Sequence, residues 1–327
     1  MSGEPAPLRR VGVVGVGHMG APMAGHLLAA GLEVRAFDAS EQATRAFAER
    51  HPAAVAAGSL AQLAAWADAV LTMLPNGAIV RAVALGHAPE AASGGDSLAA
   101  GWGERAAAGD EAGGGPLLLD MSSSAPSGTR ALGATLAERG VAMVDAPVSG
   151  GVRGAEAGTL AIMAGGEPAD LDRCAPLFEA MGSTVVRTGG LGSGHATKAL
   201  NNYLSACAML AATEAALVAR RFGLDPRLVI EAVNHSTGRS SSTEEKFPRF
   251  VFAGDLNAGF ALDLMLKDVA TAVELAQETE TPAPLAAATR ELLTEAHASL
   301  PAGSDYMQIV RHFEAEAGAS ISSPSED

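Results

Sequence analysis

The stretch Gly15-Val16-Gly17-His18-Met19-Gly20 has the GxGxxG spacing that brings a backbone up against a pyrophosphate. Gly15 permits a tight turn, Gly17 leaves room for the anion, and Gly20 lets the next helix pack closely on the preceding strand. The backbone N–H groups at a helix start, with the positive end of its dipole, favour that anion. In a glycine-rich chain this spacing arises by chance. Here it follows the apolar run Val11–Val14 and opens a helical stretch, as a phosphate-binding turn requires. Asp38 stands eighteen positions after Gly20, where a carboxylate takes ribose hydroxyls. It would repel a 2′-phosphate, and the first basic residue after it is Arg45, so NAD is expected in preference to NADP.

Asp145-Ala146-Pro147-Val148-Ser149-Gly150-Gly151 ends a β-rich run in a serine and paired glycines. Such a turn exposes backbone N–H groups, a nest for a carboxylate. It reads equally well as an ordinary turn before a hairpin. Lys198 and Asn202 are spaced i,i+4, on one helical face. A lysine facing an apolar cleft exchanges protons near neutral pH, and an asparagine one turn away can hold a hydroxyl. An isolated lysine near a helix start is more often a solvated surface residue. His195 is read as a cap at the helix start rather than a proton relay. Arg239, in the stretch Ser236–Phe250, either takes a second polar group of a substrate or bridges helices. Lys267-Asp268 alone is an ordinary charge pair. No metal-ligand cluster is evident, so a metal-free reaction is expected.

These residues need elements to hold them. Strand candidates are Val11–Val16, Glu33–Phe37, Ala69–Met73, Leu117–Met121, Ala142–Pro147, Thr159–Ala164 and Thr184–Arg187, with helical stretches such as Ala21–Ala30 and Glu41–Glu49 between the early ones. That alternation means βαβ units and a mostly parallel sheet. Nearly continuous apolar runs at Ala69–Leu74 and Leu117–Leu119 suit strands covered on both faces. Gly194–Arg221 reads as one helix about 40 Å long. After it come only helical stretches: Pro226–Asn234, Asp263–Thr279, Pro284–Leu300 and Tyr306–Ala317. The expected class is α/β: a Rossmann-type parallel-sheet domain over 8–190, a long connecting helix, and an all-α domain over 191–317. By composition, 86–116 reads as a flexible insertion and 318–327 as a disordered tail.

Composition sets the limits. The 327 residues are enough for roughly two domains and a sizeable core. A net charge of -15 and 4% aromatics argue against nucleic acid as a partner. Two cysteines exclude a disulfide framework. No apolar run has the form of a targeting or membrane segment, so a soluble, cytoplasmic protein is expected.

Taken together, the motifs resemble the β-hydroxyacid dehydrogenase family, which includes 3-hydroxyisobutyrate dehydrogenase, tartronate semialdehyde reductase and relatives of 6-phosphogluconate dehydrogenase. The resemblance runs from about Val11 to Ala298. It is carried by Gly15–Ala24, Leu74-Pro75, Asp120–Pro126, Asp145–Leu160, Lys198 to Asn202, and Gly259-Phe260 leading to Lys267-Asp268. The resemblance implies hydride transfer between NAD and a small 3-hydroxy acid, in a homodimer or homotetramer. It makes Lys198 the general acid/base. Ser149, Gly150, Gly151 and Asn202 would bind substrate. Leu74, Pro75, Ser123 and Lys267 would line the cofactor, with Phe260 beside the nicotinamide. Ser123 stands where the family commonly has Thr, which keeps the hydroxyl. The 86–116 segment is longer than usual. Alternatives are a tartronate semialdehyde reductase, which Arg239 would favour, an imine reductase, in which the lysine is usually replaced, and a non-catalytic NAD-binding sensor.

Overall fold

The computed structural model describes residues 8–86, 96–107 and 114–322. The chain divides into two compact units, 1–198 and 199–327, the division falling within one continuous helix, Ser193–Phe222.

The first unit is built on a nine-stranded sheet. Its strands are β1 (Arg10–Val14), β2 (Glu33–Phe37), β3 (Val55–Ala56), β4 (Ala69–Thr72), β5 (Leu117–Asp120), β6 (Ala142–Asp145), β7 (Val148–Ser149), β8 (Leu160–Gly165) and β9 (Gly182–Gly189). They run in the order β3-β2-β1-β4-β5-β6-β8-β7, with β9 beside β8. Neighbours from β3 to β6 pair in parallel, whereas β8 is antiparallel to β6 and β7. The order reverses between β1 and β4, the switch point at which such sheets bind ligands beyond their carboxyl ends.

Alternation through the pleat explains the apolar runs. Leu71 of β4 and Leu119 of β5 join Met23, Leu27 and Phe178 in one core layer. Val70 and Leu118 join Leu63, Leu98, Trp102 and Leu136 in the other. Both faces are covered, and each fully buried leucine contributes about 1.5–3 kcal/mol.

The segment expected to be a flexible insertion differs. Residues 98–107 form a helix, while 87–95 and 108–113 lie outside the described residues. Leu98, Trp102 and Arg105, spaced i, i+4, i+7, are its buried face. It packs so closely on the helix Leu60–Trp66 that a Cβ on Gly101 would stand 2.0 Å from the Ala61 carbonyl oxygen. Asp96 caps that neighbour by accepting from the N–H groups of Leu60 and Ala61 at 2.9 and 2.8 Å. Arg105 donates to the Ala67 carbonyl and approaches Asp68.

The second unit is helical. Its part of the long helix buries Ala206, Met209, Leu210, Ala216 and Leu217 against Phe247, Val251, Met265, Val269 and Val310. Its length and composition would suffice to cross a membrane, yet half of its apolar window is buried, as in a core helix. Helices Pro226–Asn234, Leu262–Glu278, Pro284–Ser299 and Ile309–Ala317 match the sequence expectation to within a few residues. A π-helical segment, Ser242–Val251, lies where no regular element was expected. Of the tail expected to be disordered over 318–327, residues 318–322 are packed, with Ile321 buried and donating its N–H to Glu314, while 323–327 lie outside the described residues.

Candidate active site

The glycine turn is shaped by close backbone approach. A Cβ on Gly15, whose φ is +93°, would lie 2.4 Å from the Met73 carbonyl oxygen, so the turn touches the chain leaving β4 just before Leu74 and Pro75. A Cβ on Gly20 would lie 1.9 Å from the Gly15 carbonyl oxygen. Gly17 is the opposite case: its Cβ direction is open space, and Gly17 and His18 are exposed. Asp38, just past β2, accepts from the N–H of Val16 and of Ser40, both at 2.9 Å. The helix Gly20–Ala29 has neither a side-chain cap nor an acidic residue in its first turn. An open surface over an uncapped helix start, with a carboxylate at the next strand end, fits a dinucleotide. Ser123 is half-buried beyond β5, where the neighbouring Ser122 hydroxyl accepts from the Leu74 N–H at 3.0 Å.

The carboxyl ends of β5 and β6 carry two buried aspartates. Asp120 accepts from the hydroxyls of Thr72 and Ser124, both at 2.9 Å, and from the Ser122 N–H at 3.0 Å. Asp145 accepts from the N–H groups of Gly192 and His195, both at 2.7 Å, and so caps the long helix. Burial raises the Asp145 pKa above the usual carboxylate value, with His195 and these hydrogen bonds opposing. The His195 ring is buried between Thr129 Oγ1 (Nδ1, 2.8 Å) and the Ser122 carbonyl (Nε2, 3.1 Å). A carbonyl only accepts, which puts a hydrogen on Nε2. The expected capping role of His195 thus belongs to Asp145, and His195 is a brace. Lys198, half-buried, follows three residues later on the same helix. Ser149 ends β7 half-buried, and Gly150 and Gly151 are exposed with φ of +129° and +61°.

In the second unit two residues selected from the sequence meet at a third, Asp268. Asn202 Nδ2 donates to Asp268 Oδ2 at 2.5 Å, and the Lys267 Nζ ion-pairs with Asp268 Oδ1 at 2.8 Å. Asn202 Oδ1 accepts from Asn201, which fixes the amide's orientation. Asp268 is 3% exposed, not the solvated partner its sequence context suggests. Phe260 is half-buried with its ring edge-on to Tyr306, and Asp305 holds the N–H groups of Gly259 and Phe260 at 2.7 and 2.8 Å. Arg239 is exposed in the turn before the π-helical segment. Among the described residues no group of His, Cys, Asp or Glu could hold a metal ion.

Two family models together match nearly the whole chain. Residues 10–190 match the NAD-binding domain of 6-phosphogluconate dehydrogenase, and 192–313 match the NAD-binding domain of NADP-dependent 3-hydroxyisobutyrate dehydrogenase. The 2-(hydroxymethyl)glutarate dehydrogenase of Eubacterium barkeri is 35% identical over 96% of this chain and 97% of its own. The chain belongs to the β-hydroxyacid dehydrogenase family. The 3-sulfolactaldehyde reductase of Escherichia coli is 32% identical, covering 94% of this dehydrogenase and 97% of that enzyme. Mycobacterium tuberculosis 3-hydroxyisobutyrate dehydrogenase, solved with L-serine, superposes with a TM-score of 0.80 at 29% identity over 94% and 99% of the two chains. The chain is therefore an NAD(P)-dependent hydroxyacid dehydrogenase.

Within this dehydrogenase, Asp120, Asp145 and Asp268 are the site-region residues that sequence reasoning passed over. All three were quoted within motifs. The signal was a carboxylate at the end of an apolar strand, or inside an amphipathic helix at a position facing the core.

Proposed function

We propose that this dehydrogenase oxidises a small 3-hydroxy acid reversibly, with NAD preferred and Lys198 as general acid/base. The observation that carries the reading is the helix start. Two buried aspartate-centred clusters hold the first turn of the long helix, and Lys198 and Asn202 project from its next turns at i,i+4 spacing.

Gly15–Gly20, Leu74, Pro75 and Ser123 would hold the cofactor in the first unit, with Phe260 and Lys267 as its contacts in the second. A nicotinamide bound there supplies the hydride acceptor. The backbone N–H groups of Ser149–Gly151 take the substrate carboxylate. Asn202, with one N–H committed to Asp268, offers the other to the substrate hydroxyl. Lys198 in its neutral form accepts the hydroxyl proton during oxidation and returns it during reduction, a contribution of about 10²–10⁴-fold. Lys198 supports alcohol rather than imine chemistry. Asp38 supports NAD, since its carboxylate disfavours a 2′-phosphate.

We also propose a homo-oligomer of a reducing, cytoplasmic compartment. Leu204, Val218 and Phe222 of the long helix are 63, 68 and 81% exposed, an apolar face suited to a second copy. Light scattering should give at least twice 32.8 kDa, and a monomer at micromolar concentration would count against it.

Initial rates with NAD and NADP against 3-hydroxyisobutyrate, glycerate, L-serine, 4-hydroxybutyrate and 2-(hydroxymethyl)glutarate test the reading. Reduction of NAD by at least one 3-hydroxy acid is expected. Silence across the panel despite NAD binding would sink it.

A further inference from the structure

The second unit holds a charged group that the proposed mechanism does not use. Lys246 lies in the π-helical segment Ser242–Val251, half-buried. Its Nζ donates to Ser205 Oγ at 2.7 Å and stands 5.3 Å from the centre of the Tyr306 ring. Among the described residues no carboxylate ion-pairs with it. A hydroxyl and an aromatic face are weak compensation for an ammonium drawn out of water. Burial accordingly pushes its pKa down to about 8, against the smaller opposing pull of the neighbouring Glu245.

Its position gives that charge a direction. Ser205 follows Lys198 at i+7 and Asn202 at i+3, so the three share one face of the long helix. The ammonium on Ser205 therefore lies about 10 Å along the axis from the Lys198 turn, at about 1.5 Å per residue. Tyr306, beneath Lys246, is also the ring against Phe260. Segments of π-helix inside helical proteins are themselves concentrated at functional sites.

We propose that Lys246 is a specificity-determining residue of the substrate site and ion-pairs with a second carboxylate on the hydroxy acid. The inference rests on the hydroxy-acid reading above and deepens it: the favoured substrates are hydroxylated dicarboxylates. With each polar contact about 3 Å long, about 4 Å remains for the ligand, a few carbon–carbon bonds between hydroxyl and second carboxylate. Lys246, drawn out of water and short of a counter-charge, takes this role rather than the exposed Arg239.

The test compares 2-(hydroxymethyl)glutarate with 3-hydroxyisobutyrate in the wild type, Lys246→Met and Lys246→Arg. The wild type should favour the dicarboxylate in kcat/KM at least tenfold. Lys246→Met should lower that ratio at least tenfold, mainly through KM for the dicarboxylate, and Lys246→Arg should restore part of it. A purely structural lysine would move both acids alike. Equal use of the two acids by the wild type, or a ratio unmoved in Lys246→Met, would overturn the inference alone. If Lys246→Met does not fold, the wild-type ratio and Lys246→Arg decide. No hydride transfer with either acid, or with any other of the panel, would overturn the hydroxy-acid reading and this inference with it.

Discussion

The two ends of the parallel strands treat buried charge differently. At the amino ends of β1 and β4, Asp68 is met by arginines. Arg10 donates to it through Nη2 at 2.7 Å, and buried Arg105 stands 3.6 Å away. At the carboxyl ends, Asp120 and Asp145 are held by hydroxyls and backbone N–H groups, with the His195 ring 3.7 and 3.6 Å from their carboxylates. The titrations of Asp68 and Asp145 shift in opposite directions. Burial alone would raise the Asp68 pKa, but hydrogen bonds from the Arg10 side chain and from the Arg10 and Arg9 backbone outweigh it and lower the value. Burial raises that of Asp145. One edge is built to stay folded, the other to hold the start of a helix, and the stability cost falls at the edge next to the proposed active site.

The largest test of that contrast is Lys198→Ala. If the carboxyl edge exists to aim this residue, kcat should fall about 10²–10⁴-fold with the melting temperature nearly unchanged. Near-normal turnover would leave the elaborate brace without a purpose.

Asp145→Asn comes next. An amide must turn its NH₂ towards one of two backbone N–H groups, which should cost about 1–3 kcal/mol in denaturant unfolding. The sign of its pH dependence follows from the raised pKa. Stability linked to Asp145 is fully present below about pH 3.9, the unfolded value, and is lost as pH rises through the folded value. The gap between wild type and variant should therefore narrow as pH rises across that window. A gap that widens would contradict the assignment.

Asp68→Asn should cost less, about 1 kcal/mol, because the pair is partly solvated. Its lowered pKa gives the reverse profile: the contribution is present above about pH 3.9 and disappears as pH falls through the folded value. Turnover in this variant should stay normal, and a matched loss of kcat would erase the distinction between the edges.

The sequence exposed whatever repeats or is locally spaced. β4 and β5 were visible because burial on both faces makes all but their last position apolar. The glycine turn and the long helix were visible because turn and helix chemistry are local. The two-residue strands β3 and β7 were not, since two residues carry no alternation. The helix Leu98–Ala107 was hidden by its alanine and glycine content, although its i, i+4, i+7 face was there to be counted. Asp268 looked solvated because its partner Asn202 lies sixty-six positions away. Lys246 escaped for the same reason: nothing local marks a lysine whose partners are Ser205 and Tyr306.

The Asp96 cap also bears on the order in which the chain can assemble. The helix Leu60–Trp66 finds its capping carboxylate thirty-six residues downstream and its packing partner, Trp102, later still. As the chain leaves the ribosome, that early helix waits for a segment made after β4 before its amides and its apolar face are covered. Excising 96–107 as a dispensable loop would therefore remove a late-arriving half of an early structural unit.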